Sequence, residues 1–229
     1  MPSPSAFPST QWSRILATSD RRDLDALAQA YWRPIAAWLG ARLRLSTDEA
    51  RELTQEAFAW MLQSRFFDRA DPARGRFRGL LKKALGNFAI EQHRRRTADK
   101  RGGGQVHLPL AAAAGQADPR AATPDQLLDA AWRRELLERA QQQLEAELTA
   151  AGKAVYHRLF AEYFLADTEA PDHKTLAARH GITTTDVSNW LDHGKRRYRA
   201  LLRSLVAETV GNEEELQAEL RWLFGTEGA

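Results

Sequence analysis

The sequence contains no cysteine, and this absence excludes several functions at once. Disulfide bridges, cysteine zinc sites and thiol nucleophiles are ruled out, and the composition fits a reducing compartment. Long apolar runs are also missing, since none approaches the roughly 20 residues that a helix needs to cross a membrane. The first twelve letters, MPSPSAFPSTQW, have no early basic residue and no apolar stretch, unlike a secretory signal. We therefore expect a soluble, cytoplasmic protein with no membrane partner.

The motifs of common enzymes are missing too. The histidines lack the spacing of zinc proteases, and no serine-centred elbow or phosphate-binding glycine loop occurs. The glycines at 102–104 follow a helical pattern rather than joining a strand to a helix, so they do not indicate a nucleotide site. An enzyme is the least supported class, and we expect no catalytic residue, no metal and no cofactor.

The chain does have strongly segregated charge. Its 33 Lys and Arg residues nearly balance its 30 Asp and Glu residues, which leaves a formal net charge of +3. Residues 74–101 nevertheless hold ten basic and only two acidic residues, and residues 193–206 hold five basic and no acidic ones. Solvated helix faces are the ordinary explanation of such runs. Two separate basic patches also indicate contact with a polyanion at two places.

Helical periodicity dominates the sequence, and no segment alternates like a strand. We expect an all-α fold of two helical modules joined by a flexible linker. A first helix over about 24–39, interrupted by Pro34, precedes helices over about 47–62, 77–96, 125–148, 153–165, 174–180, 184–206 and 213–224. Ser46 and Glu49 have the spacing of a capping box before the second of these. The expected division is an N-terminal extension at 1–22, a first module at 23–101, the linker at 102–124, a second module at 125–207 and an acidic C-terminal helix at 208–229.

The second module contains the pattern of a helix-turn-helix. Ala178 is small where two helices would cross, Gly181 suits a turn with positive φ, and Thr183 or Thr184 can cap the next helix. An ordinary helical hairpin with a basic helix is the alternative. If the motif binds DNA, the side chains available for base edges and phosphates are those of Thr184, Thr185, Ser188, Asn189, Trp190, His193, Lys195, Arg196, Arg197 and Arg199.

Three segments together resemble one protein family. The run FRGLLKKALGNFAIEQHRRR at 77–96 resembles the promoter-melting helix of extracytoplasmic-function (ECF) sigma factors, with Leu80 in place of the usual tryptophan. The run EARELTQEAF at 49–58 is similar to the family's helix that docks on the clamp of RNA polymerase. The helix-turn-helix is similar to the family's second module, which binds the −35 element. Their order and spacing match over roughly residues 20–206.

The resemblance implies a function and a set of contacts. The chain would bring bacterial RNA polymerase core to specific promoters and help to open them, with region 2 at 23–101 and region 4 at 125–207. Asn87 would lie at the pocket for an extruded −10 base, beside a specificity loop at about 66–76. The implied −10 contacts are Arg74, Arg76, Lys82, Lys83, Asn87, Arg94, Arg95 and Arg96. The implied polymerase contacts are Asp48, Glu49, Glu52, Gln55 and Glu56, and the implied partners are the β′ clamp, the β flap and promoter DNA.

One departure from the family pattern suggests regulation. Arg51 stands where the family has an acidic residue, so it should weaken docking on a basic clamp. Some ECF sigma factors with depleted charge in this helix are paired with serine/threonine kinases, which the resemblance adds to the partners to be considered. Phosphorylation of Thr54 would add about −1.5 to −2 charge. The alternative is that Thr54 is an unmodified helix residue that is partly buried.

Other interpretations stay open from the sequence alone. A helix-turn-helix regulator that acts without polymerase would account for the second module only. A sigma-like interaction protein without promoter activity would fit Arg51 and the missing tryptophan. Many relatives have an anti-sigma factor, and the sequence does not decide whether this chain has one. The acidic C-terminal helix could pack on the basic second module or recruit a partner.

Overall fold

The computed structural model describes residues 21–64, 66, 77–100, 122–166, 169–210 and 212–224, without the side chains of 21–27 and 96–100. All regular elements in these ranges are α-helices, which confirms the all-α class. The helices are α1 (Arg21–Leu43), α2 (Thr47–Gln63), α3 (Phe77–Lys100), α4 (Pro124–Ala150), α5 (Ala154–Phe164), α6 (His173–His180), α7 (Thr184–Ala207) and α8 (Glu213–Phe224). None of these described helices is both long enough and apolar enough to span a membrane. The predicted linker lies almost wholly outside the described residues.

The chain divides into two compact units. The first unit comprises Met1–Glu135 and Ala207–Ala229, and the second comprises Leu136–Val206. The division falls within α4, so the beginning of this helix belongs to the first unit. The second module was predicted to begin earlier, at residue 125. The C-terminal helix α8, predicted as a separate segment, also belongs to the first unit.

The first unit is built around an apolar core of α1, α2 and α3. Ile35, Leu39 and Leu85 have no exposed surface, and each such side chain contributes about 1.5–3 kcal/mol by leaving water. Tyr31 packs edge-on against Phe77 with ring centroids 4.9 Å apart. Helix α1 continues through Pro34, which the sequence predicted as an interruption.

Helix α2 begins with the capping box that the sequence predicted. The backbone N–H of Glu49 donates to Ser46 Oγ at 3.4 Å, and the backbone N–H of Ser46 donates to Glu49 Oε2 at 2.8 Å. These two bonds satisfy backbone donors that the first turn of a helix leaves free. The capping box therefore sets the residue at which α2 begins, and with it the positions of the acidic residues along the helix.

The start of α4 and the whole of α8 complete the first unit. The indole Nε1 of Trp38 in α1 donates to Asp125 Oδ1 at 2.8 Å, which holds the start of α4. Trp132 of α4 lies against Trp222 of α8 with ring centroids 6.1 Å apart. Buried leucines line the inner face of α8, at Leu216, Leu220 and Leu223.

The second unit contains the expected helix-turn-helix, formed by α6 and α7. Gly181 ends α6 in the left-handed conformation, at φ 64° and ψ 38°, which costs glycine little. Thr183 is the cap of α7, because its Oγ1 accepts the backbone N–H of Asp186 at 3.1 Å. The core beneath the turn consists of Leu159, Leu176, Ala177, Val187 and Leu191.

One detail of the predicted helix crossing is wrong. Ala178 is exposed, and the small buried residue of α6 is its neighbour Ala177, which is 7% exposed. The reason is helical geometry, because α6 turns Leu176 and Ala177 inward together and therefore turns Ala178 to solvent. The sequence alone does not determine how this eight-residue helix is rotated about its axis, and so it does not determine which of its faces is buried.

Candidate nucleic-acid and protein interfaces

The outward face of α3 carries three of the predicted −10 contacts. Lys83, Asn87 and Arg94 are all exposed, and their spacing of four and seven residues places them on one side of a helix. Ile90 lies between them and is 37% exposed. This surface offers two cations, an amide and an apolar side chain to a partner, as a nucleic-acid contact requires.

The other residues of the predicted −10 set have different positions. The Nζ of Lys82 lies 2.9 Å from both carboxylate oxygens of Asp129 in α4, so this cation is engaged within the protein. Arg95 is exposed and pairs with Glu91 at 3.1 Å. Arg74 and Arg76 lie outside the described residues, as does the predicted specificity loop apart from Phe66. Arg96 lies in α3, but its side chain is outside the description.

The exposed face of α2 carries the predicted polymerase contacts. All five are exposed, namely Asp48, Glu49, Glu52, Gln55 and Glu56. Arg51 is exposed in the same helix, and its Nη1 lies 3.5 Å from Asp48 Oδ1. The arginine therefore offsets one carboxylate of a surface that is otherwise acidic. Glu56 accepts a hydrogen bond at 3.2 Å from the amide of Gln92 in α3.

Thr54 has no contact with solvent. Its side chain is 0% exposed, and its hydroxyl donates to the backbone oxygen of Ala50 at 2.6 Å within α2. A kinase needs an accessible hydroxyl, and a phosphate at this position would place charge in an apolar core. Thr54 is therefore a fully buried helix residue, whereas the alternative interpretation expected it to be partly buried.

A groove of about 720 Å³ opens on the second unit beside α7. Six of its lining residues belong to the predicted −35 set: Asn189, Trp190, His193, Lys195, Arg196 and Arg199. The set thus combines four titratable or cationic groups of α7 with an amide and an indole in one concave surface. Such a surface can attract a phosphate backbone and contact bases at the same time.

Three residues of this groove were not predicted, namely Lys153, Tyr156 and the acidic Asp192 of α7. Lys153 and Tyr156 come from the start of α5. The Tyr156 ring stacks on Trp190 with centroids 4.3 Å apart and an interplanar angle of 17°, and Lys153 Nζ lies 5.5 Å from the Tyr156 centroid. The stack holds the Trp190 indole in one orientation. No motif of α5 signals this arrangement, because it depends on how α5 packs against α7.

The remaining members of the predicted −35 set lie outside the groove. Thr184 and Thr185 are exposed in the first turn of α7. Ser188 donates to the backbone oxygen of Thr184 at 3.2 Å and lies 3.1 Å from His173 Nδ1. Arg197 donates twice to the carboxylate of Glu147 in α4, at 2.6 and 2.7 Å. Arg197 is thus engaged in holding α7 to α4.

The pKa values of two groups reflect this attachment of α7 to α4. The hydrogen bond from Arg197 lowers the pKa of Glu147 below its ordinary value. Burial raises the pKa of Tyr198 to about 12, and its hydroxyl donates to the backbone oxygen of Leu137 at 3.1 Å. Both contacts fix the rotation of α7, and with it the direction in which the groove residues point.

Comparison with known protein families gives a match. A family model described as ECF sigma factor matches residues 10–170 of the chain, which is more than half of its length. The match includes α1 to α5 and ends before α6 begins. No curated protein and no solved structure matches the chain. The assignment of α6 and α7 as a helix-turn-helix therefore rests on the geometry of these helices and on their place in the chain.

Proposed function

Because the chain belongs to the family of ECF sigma factors, we propose that it directs bacterial RNA polymerase core to specific promoters and helps to melt their −10 element. Three exposed surfaces of the chain have complementary tasks in this function. The acidic face of α2 binds the polymerase clamp, the outward face of α3 binds the −10 element, and the groove beside α7 binds the −35 element.

The single observation that carries the proposal is the outward face of α3. Asn87 is exposed between Lys83 and Arg94, within the residues that the family model matches. Opening a duplex requires energy for unstacking, which a pocket for a flipped base offsets. Cations along the same face bind the separated strand by its phosphates. Asn87 supplies amide groups for the base, and the two basic residues supply charge.

The groove of the second unit supports an upstream DNA contact. Its four cationic lining residues outnumber the one acidic residue, Asp192, so the groove has net positive charge, which suits the phosphate backbone. Asn189 and the stacked Trp190 present an amide and an indole from the same helix. A polymerase contact and two DNA contacts on one chain strengthen one another through effective concentration. The proposed function therefore does not require tight binding of DNA by the isolated protein.

Regulation is less supported than promoter recognition. Phosphorylation of Thr54 by a serine/threonine kinase stays a hypothesis, and the burial of the Thr54 hydroxyl gives it no support. An anti-sigma factor is likewise an untested partner. The exposed Arg51 is the feature of α2 that still needs an explanation, because it lowers the negative charge of the surface that meets the clamp.

Transcription in vitro tests the proposal. Bacterial core polymerase is incubated with a supercoiled library of genomic DNA, with and without the protein, and the start sites are sequenced. We expect defined new start sites that depend on the protein. A protein that binds neither core polymerase nor any start site would instead be a sigma-like interaction protein. A protein that binds duplex DNA tightly without polymerase would be an independent regulator.

A further inference from the structure

Arg78 of α3 is enclosed by side chains from two other helices. Its guanidinium carbon lies 4.6 Å from the Trp132 ring centroid and 4.1 Å from the Trp222 ring centroid. Its Nη2 lies 2.8 Å from Oε1 of Glu219 in α8. Arg78 is 8% exposed and Glu219 only 2%. A cation of the basic helix α3 is thus covered by the C-terminal helix.

The surrounding charges form a balanced cluster. Arg78 and Lys82, both of α3, face Asp129 of α4 and Glu219 of α8, with Arg78 Nε 3.4 Å from Asp129 Oδ1. Within the described residues, the buried Nη1 of Arg78 has no hydrogen-bond partner. The two carboxylates therefore balance the charges of Arg78 and Lys82 but leave one guanidinium donor unsatisfied.

The main effect of this cluster is to select the position at which α8 docks, and its effect on the stability of the fold is smaller. A buried ion pair loses hydration that its mutual attraction only partly repays, so its net contribution to stability is small. A pair of this kind does select one docking position, because a displaced partner would leave a buried charge alone. Helix α8 has only 12 residues, and a helix of this length is marginal when isolated. Its position therefore depends on these contacts and on its leucine face.

A guanidinium binds phosphate as readily as carboxylate, since both present oxygens to its planar donors. We propose that α8 is an intramolecular competitor of nucleic acid, in which the Glu219 carboxylate occupies the place of a DNA phosphate at Arg78. Among the described residues, release of α8 leaves Arg78 and Lys82 with Asp129 as their one paired carboxylate, so this side of α3 becomes positive. This inference rests on the proposed function, because it takes α3 as a DNA-binding helix. Helix α8 lies beyond the residues that the family model matches.

The absence of cysteine allows a direct measurement of α8 release. In a Leu223→Cys protein the thiol replaces a side chain that is 8% exposed, so it should react slowly with a maleimide while α8 is docked. Addition of single-stranded oligo-thymidine of about 20 nucleotides, a length that covers more than one binding site, should speed labelling. We expect an increase of about fivefold or more, the lower end of typical coupling between two ligands.

The labelling experiment has a matched control. Ala140→Cys places the only thiol at a fully buried position of the second unit, and its labelling rate should not respond to the oligonucleotide. An unchanged or slower rate for Leu223→Cys in the presence of the oligonucleotide would overturn the proposal. An equal increase at both positions would also overturn it, because it would mean general loosening of the fold.

A second experiment removes the competing charge. Glu219→Gln should bind the same labelled oligonucleotide about fivefold more tightly than the unaltered protein. Glu214→Gln removes one charge from an exposed position of the same helix and should change the affinity less than about twofold, since exposed charges are screened by salt. Equal affinities of the two variants, with both folded by circular dichroism, would contradict the proposal. Neither experiment contains polymerase, so failure here is distinguishable from failure of the proposed function.

Discussion

At the scale of single residues, the exposure of a side chain on α3 determines whether its substitution changes the stability of the fold or a contact with a partner. Asn87 is exposed, and exposed substitutions of this kind usually alter the free energy of unfolding by no more than about 0.5 kcal/mol. Its effects should therefore appear in the contact with a partner and not in the fold. The same holds for Lys83 and Arg94 on that face.

We expect Asn87→Ala to slow open-complex formation about tenfold, as a loss of ~1.4 kcal/mol of transition-state stabilisation would do. The measurement is permanganate reactivity of promoter thymines over time in the complex with core polymerase. Gln142→Ala, which removes an exposed amide of α4, serves as the control and should leave the rate unchanged. Normal opening by Asn87→Ala would remove this residue from the −10 site.

Thr54 belongs to the opposite class of residue, because it is completely buried. Thr54→Val keeps the shape and removes one hydrogen bond to Ala50, so the free energy of unfolding should fall by no more than about 1 kcal/mol. Thr54→Glu places a carboxylate in the core and should cost roughly 3 kcal/mol or more. Urea unfolding measures both. Equal stability of the two variants would show that position 54 is accessible, which would revive the phosphorylation hypothesis.

The sequence predicted some of these residue positions and not others. The place of Asn87 on α3 followed from the resemblance of residues 77–96 to the family's promoter-melting helix. The complete burial of Thr54 did not, because threonine occurs in both environments and α2 gives its hydroxyl an acceptor in its own backbone. The exposure of Ala178 was missed for a similar reason, since Ala177 and Ala178 differ only in the direction that α6 gives them.

At the scale of elements, helix ends were well predicted because capping residues mark them. Ser46 with Glu49 begins α2, and Gly181 ends α6. Contacts between elements were predicted less well. Lys153, the residue before α5, and Tyr156 of α5 line the groove beside α7. Arg197 is directed at α4. The packing of neighbouring helices sets these positions.

The adjacent residues Arg196 and Arg197 provide a test of the groove. Arg196 lines it, whereas Arg197 pairs with Glu147. Arg196→Ala should lower the slope of log affinity against log salt for duplex DNA by about 0.9, the effect of one lost phosphate contact. Arg197→Ala should leave this slope unchanged. Fluorescence anisotropy with a labelled duplex measures both slopes, and the reverse result would place the DNA contact on the other side of α7.

The charge of helix α2 leads to a prediction about the affinity of the chain for core polymerase. Arg51→Glu adds negative charge to the face that meets a basic clamp and should strengthen binding of core polymerase about fivefold, which corresponds to ~1 kcal/mol. Arg42→Glu changes an exposed residue of α1 and serves as the control for net charge. Native gel titration with core polymerase provides the measurement. Weaker binding by Arg51→Glu would mean that Arg51 itself contacts the polymerase.

At the scale of the whole molecule, the sequence predicted two helical modules with the second beginning at residue 125, whereas the two compact units of the structure divide within α4. The start of α4 and all of α8 belong to the first unit. Their contacts with α3 join residues far apart in the chain, such as Arg78 and Glu219, and local periodicity carries no information on such pairs. The acidic character of α8 left two alternatives open, packing on the basic second module or recruitment of a partner, and in the structure α8 packs around an arginine of the first unit.

In the proposed function, one chain recognises two promoter elements when it is bound to polymerase. Footprinting of a promoter selected in the transcription experiment provides the test. With core polymerase and this protein, we predict one protected block upstream and permanganate-reactive thymines downstream, with Arg196→Ala weakening the first and Asn87→Ala the second. The same protection without polymerase, or no reactive thymines with it, would contradict the proposed function.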